Sequence, residues 1–220
     1  FIRELEASFQ DLNLRLGVVV PAAENQDGRW ETGAYDWREI GAHIDYMLID
    51  FNLNPADFAP GEDRLIEAML RWTVGEVNRY KLVAGLNARS VREVGGDFNP
   101  VGYDDALAAL GNVSLNAMTS ETGSVEPGAE ILASLDGFDA VPGLDTLTLT
   151  PFIEYYDENA NLVSKVWLTT ADALRFRMDQ MTRFAIGGVS LNDLVTDGIA
   201  DGLLETVLNY KLQLPPTTAS

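Results

Sequence analysis

The chain has 220 residues, 46% of them hydrophobic, and a formal net charge of -19 at neutral pH. This length and composition are typical of a folded chain with a sizeable core rather than a disordered segment. The acidity argues against binding to nucleic acid, because a phosphate-binding surface needs clustered lysines and arginines. Cysteine is absent and histidine occurs once, which excludes disulfides, thiol nucleophiles, cysteine-ligated zinc and multi-histidine metal centres.

Neither end of the sequence has the features of a membrane segment. No stretch approaches the roughly 20 apolar residues that span a bilayer, and no signal peptide opens the chain. The sequence begins at Phe1 without a methionine, and residues 211–220 form a Pro/Thr/Ser run typical of an inter-domain linker. We therefore expect no membrane insertion and an internal piece of a longer polypeptide.

Helical and strand periods alternate over residues 1–92. Apolar spacing predicts helices at 1–12, 35–43 and 63–80, and short apolar runs predict buried strands at 16–20, 44–51 and 81–86. Such alternation indicates βα units, which build a parallel sheet or barrel with helices outside it.

The alternation of helical and strand periods stops at residue 93 and resumes at residue 166. A short helix at 103–110, a segment at 112–118 and strands at 146–156 and 162–168, joined by a DENAN turn, predict an α+β insertion over 93–165. No cation lies between Arg92 and Lys165, which indicates a solvated acidic face. Calcium held by the Asp-rich loop at 136–145 is the alternative. Final barrel units follow at 166–210, with a helix at 171–184, a strand at 186–191 and a helix at 194–210.

A series of short motifs carries a family resemblance through their order and spacing. They are Asp45 and Tyr46; Lys81, Gly85 and Leu86; Pro151, Phe152 and Tyr155; Val166, Trp167, Asp172 and Ala173; and Ile186, Gly188, Val189 and Ser190. This series resembles the family 18 glycoside hydrolases, which comprise chitinases and bacterial cell-wall N-acetylglucosaminidases. The resemblance implies an α/β fold, a (β/α)8 TIM barrel, of which this chain holds strands five to eight. The insertion would precede the last helix–strand unit, and the missing barrel half would lie elsewhere in the polypeptide.

The resemblance places the catalytic motif outside the chain. Family 18 enzymes donate a proton from the Glu of an Asp-Gly-x-x-x-Asp-x-Glu motif on strand four, and the substrate's N-acetyl group attacks the anomeric carbon. That strand would precede Phe1. Two partial matches, DGFDAVPGL from Asp136 and DGIADGLLE from Asp197, lack or misplace the required acids. We therefore predict no catalytic residue, metal or cofactor in this chain, and whether the protein is an enzyme stays open.

The supporting positions of the family 18 site are also changed. The Tyr and Asp that hold the N-acetyl group at the end of strand six are replaced by Asn52 and Leu53. The Trp that forms the sugar-stacking floor after strand eight is replaced by Asn192, which removes a large apolar contact. The resemblance therefore implies weak or absent chitinase activity.

Polar side chains nevertheless gather at the predicted strand ends, where a barrel binds its ligand. Asp50 lies in an apolar strand, so we expect it to need a partner such as Arg89 or a ligand. The alternative is that the Asn and Asp residues serve only as turn and cap residues. The predicted glycan-binding residues are Asp50, Asn52, Asn87, Arg89, Asn192 and Trp30.

Three functions are compatible with these features. The first is a non-catalytic or weakly active family 18-like domain that binds a chitin- or peptidoglycan-like glycan outside the cell or at its surface. The second is an active N-acetylglucosaminidase or chitinase whose catalytic strand lies upstream. The third is a scaffold domain of an extracellular assembly.

Overall fold

A computed structural model describes residues 1–61, 64–108, 112–117, 131–136 and 139–213. The part with the parallel sheet contains strands β1 Gly17–Pro21, β2 Glu24–Gln26, β3 Arg29–Glu31, β4 Tyr46–Asp50, β5 Leu82–Asn87 and β13 Gly188–Asn192, and helices α1 Ile2–Asp11, α2 Trp37–Ala42, α3 Leu65–Glu76, α5 Ala171–Thr182 and α6 Leu203–Gln213. The inserted part contains β6 Ser90–Val94, β7 Asp97–Val101, α4 Tyr103–Ala108, β8 Asn112–Ala117, β9 Ile131–Asp136, β10 Asp139–Asp145, β11 Thr150–Tyr156 and β12 Leu162–Trp167. Among the described helices, none combines the length and the apolar composition needed to cross a bilayer.

Four strands form a parallel sheet in the order β1-β4-β5-β13. Each neighbouring pair is parallel, which confirms the βα organisation that the alternating periods predict. The described strands do not close into a barrel, because β1 and β13 stand at the two edges of the sheet. The (β/α)8 architecture and the assignment of these strands as five to eight stay predictions.

One face of the parallel sheet carries the core. Met47 and Ile49 of β4, with Leu82 of β5, are fully buried against apolar side chains of the helices, including Leu70 and Met178. Alternate residues of a strand point to opposite sides. The opposite face is open at β1 and β4 and is half-buried or buried at β5.

The open face is apolar at the edge strand. Val19 of β1 is 63% exposed, and Tyr46 of β4 is also exposed. Parallel sheets are normally covered on both faces, so the open face is a feature of this chain that needs an explanation.

The inserted part has its own antiparallel sheet, in the order β10-β11-β12-β6-β7. The predicted hairpin is confirmed, since β11 and β12 pair antiparallel. Lys165 stabilises the centre of this hairpin. Its ammonium lies 3.6 Å from the centroid of the Phe152 ring and 3.0 Å from the Glu154 carboxylate. The strands of this sheet run from Ser90 to Trp167, slightly beyond the predicted limits of 93–165.

Two predicted elements are wrong in extent. The last helix begins at Leu203 rather than residue 194, because Gly198 and Gly202 adopt positive φ, which a right-handed helix does not accommodate. The helix predicted to reach Tyr80 ends at Glu76, and a 3-10 turn at Arg79–Lys81 follows it.

The segment predicted as an Asp-rich calcium loop is mostly strand β10. The Asp145 carboxylate accepts hydrogen bonds from the Leu147 backbone N–H at 2.9 Å and from the Thr148 hydroxyl at 2.9 Å, so it holds the turn to β11. Across the residues that the structure describes, no group of three acidic or histidine side chains is placed to bind a metal ion. The Asp136 match to the catalytic motif extends into residues 137 and 138, which lie outside the described residues, and Asp197 lies in turns before α6.

Candidate functional site

Two adjoining depressions lie at the carboxyl ends of the parallel strands. The larger, here called the groove, has a volume of about 440 Å³ and is lined by residues 21–25 and 50–52 and by the start of α3. The smaller, the inner cavity, has a volume of about 30 Å³ and lies at the ends of β4, β5 and β13. Asp50, Phe51 and Asn52 line both, so the two spaces are adjacent and are treated together as the candidate site.

Four predicted residues meet at the inner cavity. Asp50, Asn52, Asn87 and Asn192 all line it. Strand register brings them together: Asn87 pairs with Asn192 across β5 and β13, and Asp50 pairs with Gly85 across β4 and β5. Alternation along parallel strands therefore places the predicted polar set at one edge of the sheet.

Asp50 does not have the environment that its sequence predicts. Its side chain is exposed at the end of β4, so it does not need a buried partner. The predicted partner Arg89 lies outside the residues that line the two depressions. Its backbone carbonyl accepts a hydrogen bond from the Thr169 hydroxyl at 2.8 Å, which joins the end of β5 to the segment before α5.

The side chains of Asn87 and Asn52 each have a polar neighbour. The Asn87 Oδ1 accepts a hydrogen bond from the Arg89 backbone N–H at 2.7 Å, which leaves the Asn87 amide NH2 as a donor for a ligand. Asn52 lies beside the carboxyl group of Asp57, which accepts a hydrogen bond from the Asn54 side-chain amide at 3.1 Å. Burial raises the pKa of Asp57, and the Asn52 side chain opposes that rise.

Trp30 lies on the β2–β3 hairpin rather than along the lining of the groove. Its ring stacks on the ring of Trp72 of α3, with the two centroids 5.9 Å apart. The Trp72 ring in turn packs against Trp37 of α2, with a centroid distance of 5.5 Å. The hairpin contributes Glu24 and Asn25 to the groove, and Asn25 pairs with Trp30 across it. Trp30 therefore anchors the hairpin, while direct contact of its ring with a glycan stays a prediction.

Sequence reasoning missed Arg177, which lines the inner cavity from α5. Its side chain is 4% exposed, and burial lowers its pKa to about 10. A signal for this position exists in the sequence: Leu174, Arg177, Met178 and Met181 follow helical three- and four-residue spacing, and all four are buried. An arginine within an apolar helix stripe is the feature that marks the residue.

The site combines an apolar base with polar groups at its mouth. Phe51 and Met69 are buried in the groove, whereas Glu24, Asp50 and Asn52 are exposed. Amide donors and carboxylate acceptors around an apolar base suit a ligand that carries hydroxyl and amide groups on a ring with apolar faces.

No family model and no curated protein matches the sequence. Solved structures do match it in fold. A chitinase from Chromobacterium violaceum is 22% identical with a TM-score of 0.66, over 97% of this chain and 61% of that chain. A family 18 N-acetylglucosaminidase from Paenibacillus barengoltzii is 14% identical with a TM-score of 0.54, over 94% of this chain and 60% of that chain. The spore cortex-lytic enzyme of Bacillus megaterium is 15% identical with a TM-score of 0.54, over 96% of this chain and 43% of that chain.

The chain has a glycoside hydrolase family 18-like fold. This finding confirms the resemblance that the ordered motifs carry, because the match covers nearly the whole chain. The chain spans 61% of the length of the Chromobacterium chitinase, so the family 18-like region described here corresponds to part of that enzyme.

Proposed function

We propose that this chain is a non-catalytic or weakly active family 18-like domain that binds an N-acetylglucosamine-containing glycan of the chitin or peptidoglycan type. One observation carries the proposal: in a family 18-like fold, the polar residues Asp50, Asn52, Asn87 and Asn192 converge beside a groove at the carboxyl ends of the strands. Ligands of barrel folds bind at this end of the sheet.

The size and lining of the groove support a sugar ligand. A volume of about 440 Å³ falls within the roughly 300–1,000 Å³ typical of small-ligand sites. Pro21, Ala22 and Leu65, which are exposed or half-buried in the groove, offer apolar surface to a sugar ring. The Asn87 amide NH2 is left as a donor for its hydroxyl or acetamido oxygens.

The residues at the site support weak or absent catalysis. An amide at Asn52 stands where the resemblance expects a phenol, and Asn192 replaces the stacking ring. The carboxylates that line the groove, Glu24 and Asp50, are exposed. A proton-donating carboxyl of a glycosidase is instead kept protonated by an apolar setting.

The open face of the parallel sheet supports a larger assembly. Further strands of the same polypeptide would cover Val19 and Tyr46, as both faces of a parallel sheet normally are covered. The glycan-acting enzymes that share the fold favour a place outside the cell or at its surface for this domain.

Titration calorimetry of the purified protein with chitotetraose tests the proposal. We expect binding in the wild type and about tenfold weaker binding in Asn87→Ala, which removes the free amide donor. Asn99→Ala, an exposed position on β7 of the inserted sheet, is the matched control and should bind normally.

Absence of binding to chitotetraose and to peptidoglycan fragments would contradict glycan recognition and favour the scaffold function. Release of free sugar from chitotetraose at enzymatic rates would instead support the active hydrolase.

A further inference from the structure

Arg177 carries a buried positive charge, and none of the described carboxylates forms an ion pair with it. Among the residues that the structure describes, neither its Nε nor its Nη2 has a hydrogen-bond partner. Its Nη1 lies 3.4 Å from the Thr169 hydroxyl, and its guanidinium carbon lies 5.5 Å from the Phe58 ring centroid. A long hydrogen bond and a ring face are weak compensation for a side chain that is 4% exposed.

Burial does not remove the charge. It lowers the pKa of Arg177 to about 10, so the guanidinium stays protonated at neutral pH. An unpaired buried cation disfavours folding. Groups kept in such a state at the edge of a cavity are typical of ligand sites.

The two unpaired nitrogens are on the edge of the guanidinium that binds carboxylates. Nε and Nη2 point their N–H groups to the same side, which allows two parallel hydrogen bonds to one carboxylate. Arg38 uses this edge elsewhere in the molecule: its Nε and Nη2 each donate to a Glu76 carboxylate oxygen at 3.0 Å. Arg177 has the same donor pair without an acceptor.

The inner cavity brings Arg177 together with further polar side chains and adjoins the groove. Arg177 and Asn87 line the cavity together, and the Asn87 amide NH2 is a free donor because its Oδ1 is already bonded. A volume of about 30 Å³ admits only a small group, on the order of two water molecules. Asp50 and Asn52 line both this cavity and the groove, so the two spaces lie side by side.

We propose that the inner cavity is a carboxylate subsite and that the glycan bound in the groove is acidic. Arg177 receives the carboxylate side-on through Nε and Nη2, Asn87 adds a third donor, and the sugar ring lies in the groove. This inference rests on the proposed glycan binding. It narrows the ligand from N-acetylglucosamine polymers in general to those that carry carboxylates on their sugars.

The test compares two sugars that differ by one O-lactyl group, which carries the carboxylate. Calorimetry of the purified protein is performed with N-acetylmuramic acid, which carries a lactyl carboxylate, and with uncharged N-acetylglucosamine. Sodium formate, a small carboxylate without a sugar, is titrated against thermal unfolding. We expect at least about tenfold preference for the acidic sugar, abolished in Arg177→Met and reduced in Arg177→Lys, which keeps the charge but loses the paired donors.

Arg177→Met also gives a readout that a structural role would not. Because it removes an unpaired buried charge and keeps apolar volume, we expect its unfolding temperature without ligand to equal or exceed that of the wild type. Arg183→Met, at the residue that follows α5, is the control. Its guanidinium pairs with Glu67 at 3.3 Å, so the variant should be less stable and keep the preference for the acidic sugar.

The other outcomes separate this inference from the proposed function. Equal binding of both sugars, unchanged in Arg177→Met, overturns the carboxylate subsite and leaves glycan binding intact. Stabilisation by formate in the wild type but not in Arg177→Met, without binding of either sugar or of chitotetraose, supports the subsite and overturns glycan binding. If formate does not stabilise the protein and neither sugar binds, the subsite is overturned, and if chitotetraose also fails to bind, so is the proposed function. A loss of stability in Asp50→Asn that Arg177→Met cancels would show that Asp50 itself occupies the cavity, which also overturns the subsite.

Discussion

At the level of single residues, Glu67 joins two helices through one buried carboxylate. It is 7% exposed and accepts hydrogen bonds from the Gly61 backbone N–H at 3.1 Å and from Arg71 at 3.1 Å. Arg183, at the end of α5, reaches it at 3.3 Å. The hydrogen bond from Gly61 is the main cause that lowers the pKa of Glu67, and the two arginines add to it against the opposing effect of burial.

This lowered pKa predicts a pH-dependent contribution to stability. A depressed folded-state pKa stabilises the protein above the unfolded value of 4.5 and stops doing so as pH falls through the lower folded value. We expect Glu67→Gln to lower the free energy of unfolding by about 1–3 kcal/mol at pH 7.

Urea unfolding between pH 3 and pH 7 measures the effect. The difference in free energy of unfolding between the wild type and Glu67→Gln should become smaller as pH falls below 4.5. Glu205→Gln, at an exposed position in the first turn of α6, should change little at any pH. A difference in free energy of unfolding that does not change with pH would show that the charge of Glu67 contributes nothing to stability.

Gly187 is required by the close approach of another backbone segment. A Cβ atom at this position would lie 2.3 Å from the Tyr80 carbonyl oxygen, whereas a Cβ at Gly188 would meet nothing within 4 Å. We expect Gly187→Ala to cost about 1–3 kcal/mol of stability through forced backbone movement and Gly188→Ala to be tolerated. Thermal unfolding of the two variants side by side checks this, and equal unfolding temperatures would contradict the packing described here.

At the level of secondary-structure elements, the β2–β3 hairpin depends on Trp30 for its position. The stacking of Trp30 on Trp72 attaches an otherwise exposed hairpin to α3. We expect Trp30→Ala to weaken glycan binding several-fold because Glu24 and Asn25 lose their fixed place in the groove. The loss of stability should be small compared with that from removing a core residue.

Hydrogen exchange of residues 24–31, measured together with glycan affinity, checks this prediction. Exchange should quicken in Trp30→Ala and stay unchanged in Arg29→Ala, an exposed position on the same hairpin. Weaker binding with an unchanged exchange rate would show that the Trp30 ring contacts the glycan directly.

At the level of the whole molecule, the open face of the parallel sheet is the main unsatisfied feature. Val19 is 63% exposed on an edge strand, a position that favours pairing with further strands. If further strands cover this face in the complete protein, Val19→Asp places a charge in an apolar contact, and we expect a clear drop in unfolding temperature.

The matched control is Val141→Asp, at an exposed position on β10 of the inserted sheet, which should be tolerated. Thermal unfolding of the complete protein decides the question. An unchanged unfolding temperature in Val19→Asp would show that the face is open to water in the native molecule.

The sequence was sufficient to predict the βα order, the parallel pairing and the antiparallel hairpin, since each depends on local periodicity. Element ends were less predictable. Gly198 and Gly202 stop the last helix from starting at residue 194 through their positive φ, which composition does not reveal.

The candidate site also has a part that the sequence predicts and a part that only the tertiary structure decides. Asp50, Asn52, Asn87 and Asn192 were predictable because strand alternation and register place strand-end residues together. The exposure of Asp50 and the burial of Arg177 depend on which helix packs over which strand end. Burial is a property of contacts between segments distant in the sequence, so only the tertiary structure decided which of these charged side chains lacks solvent and a partner.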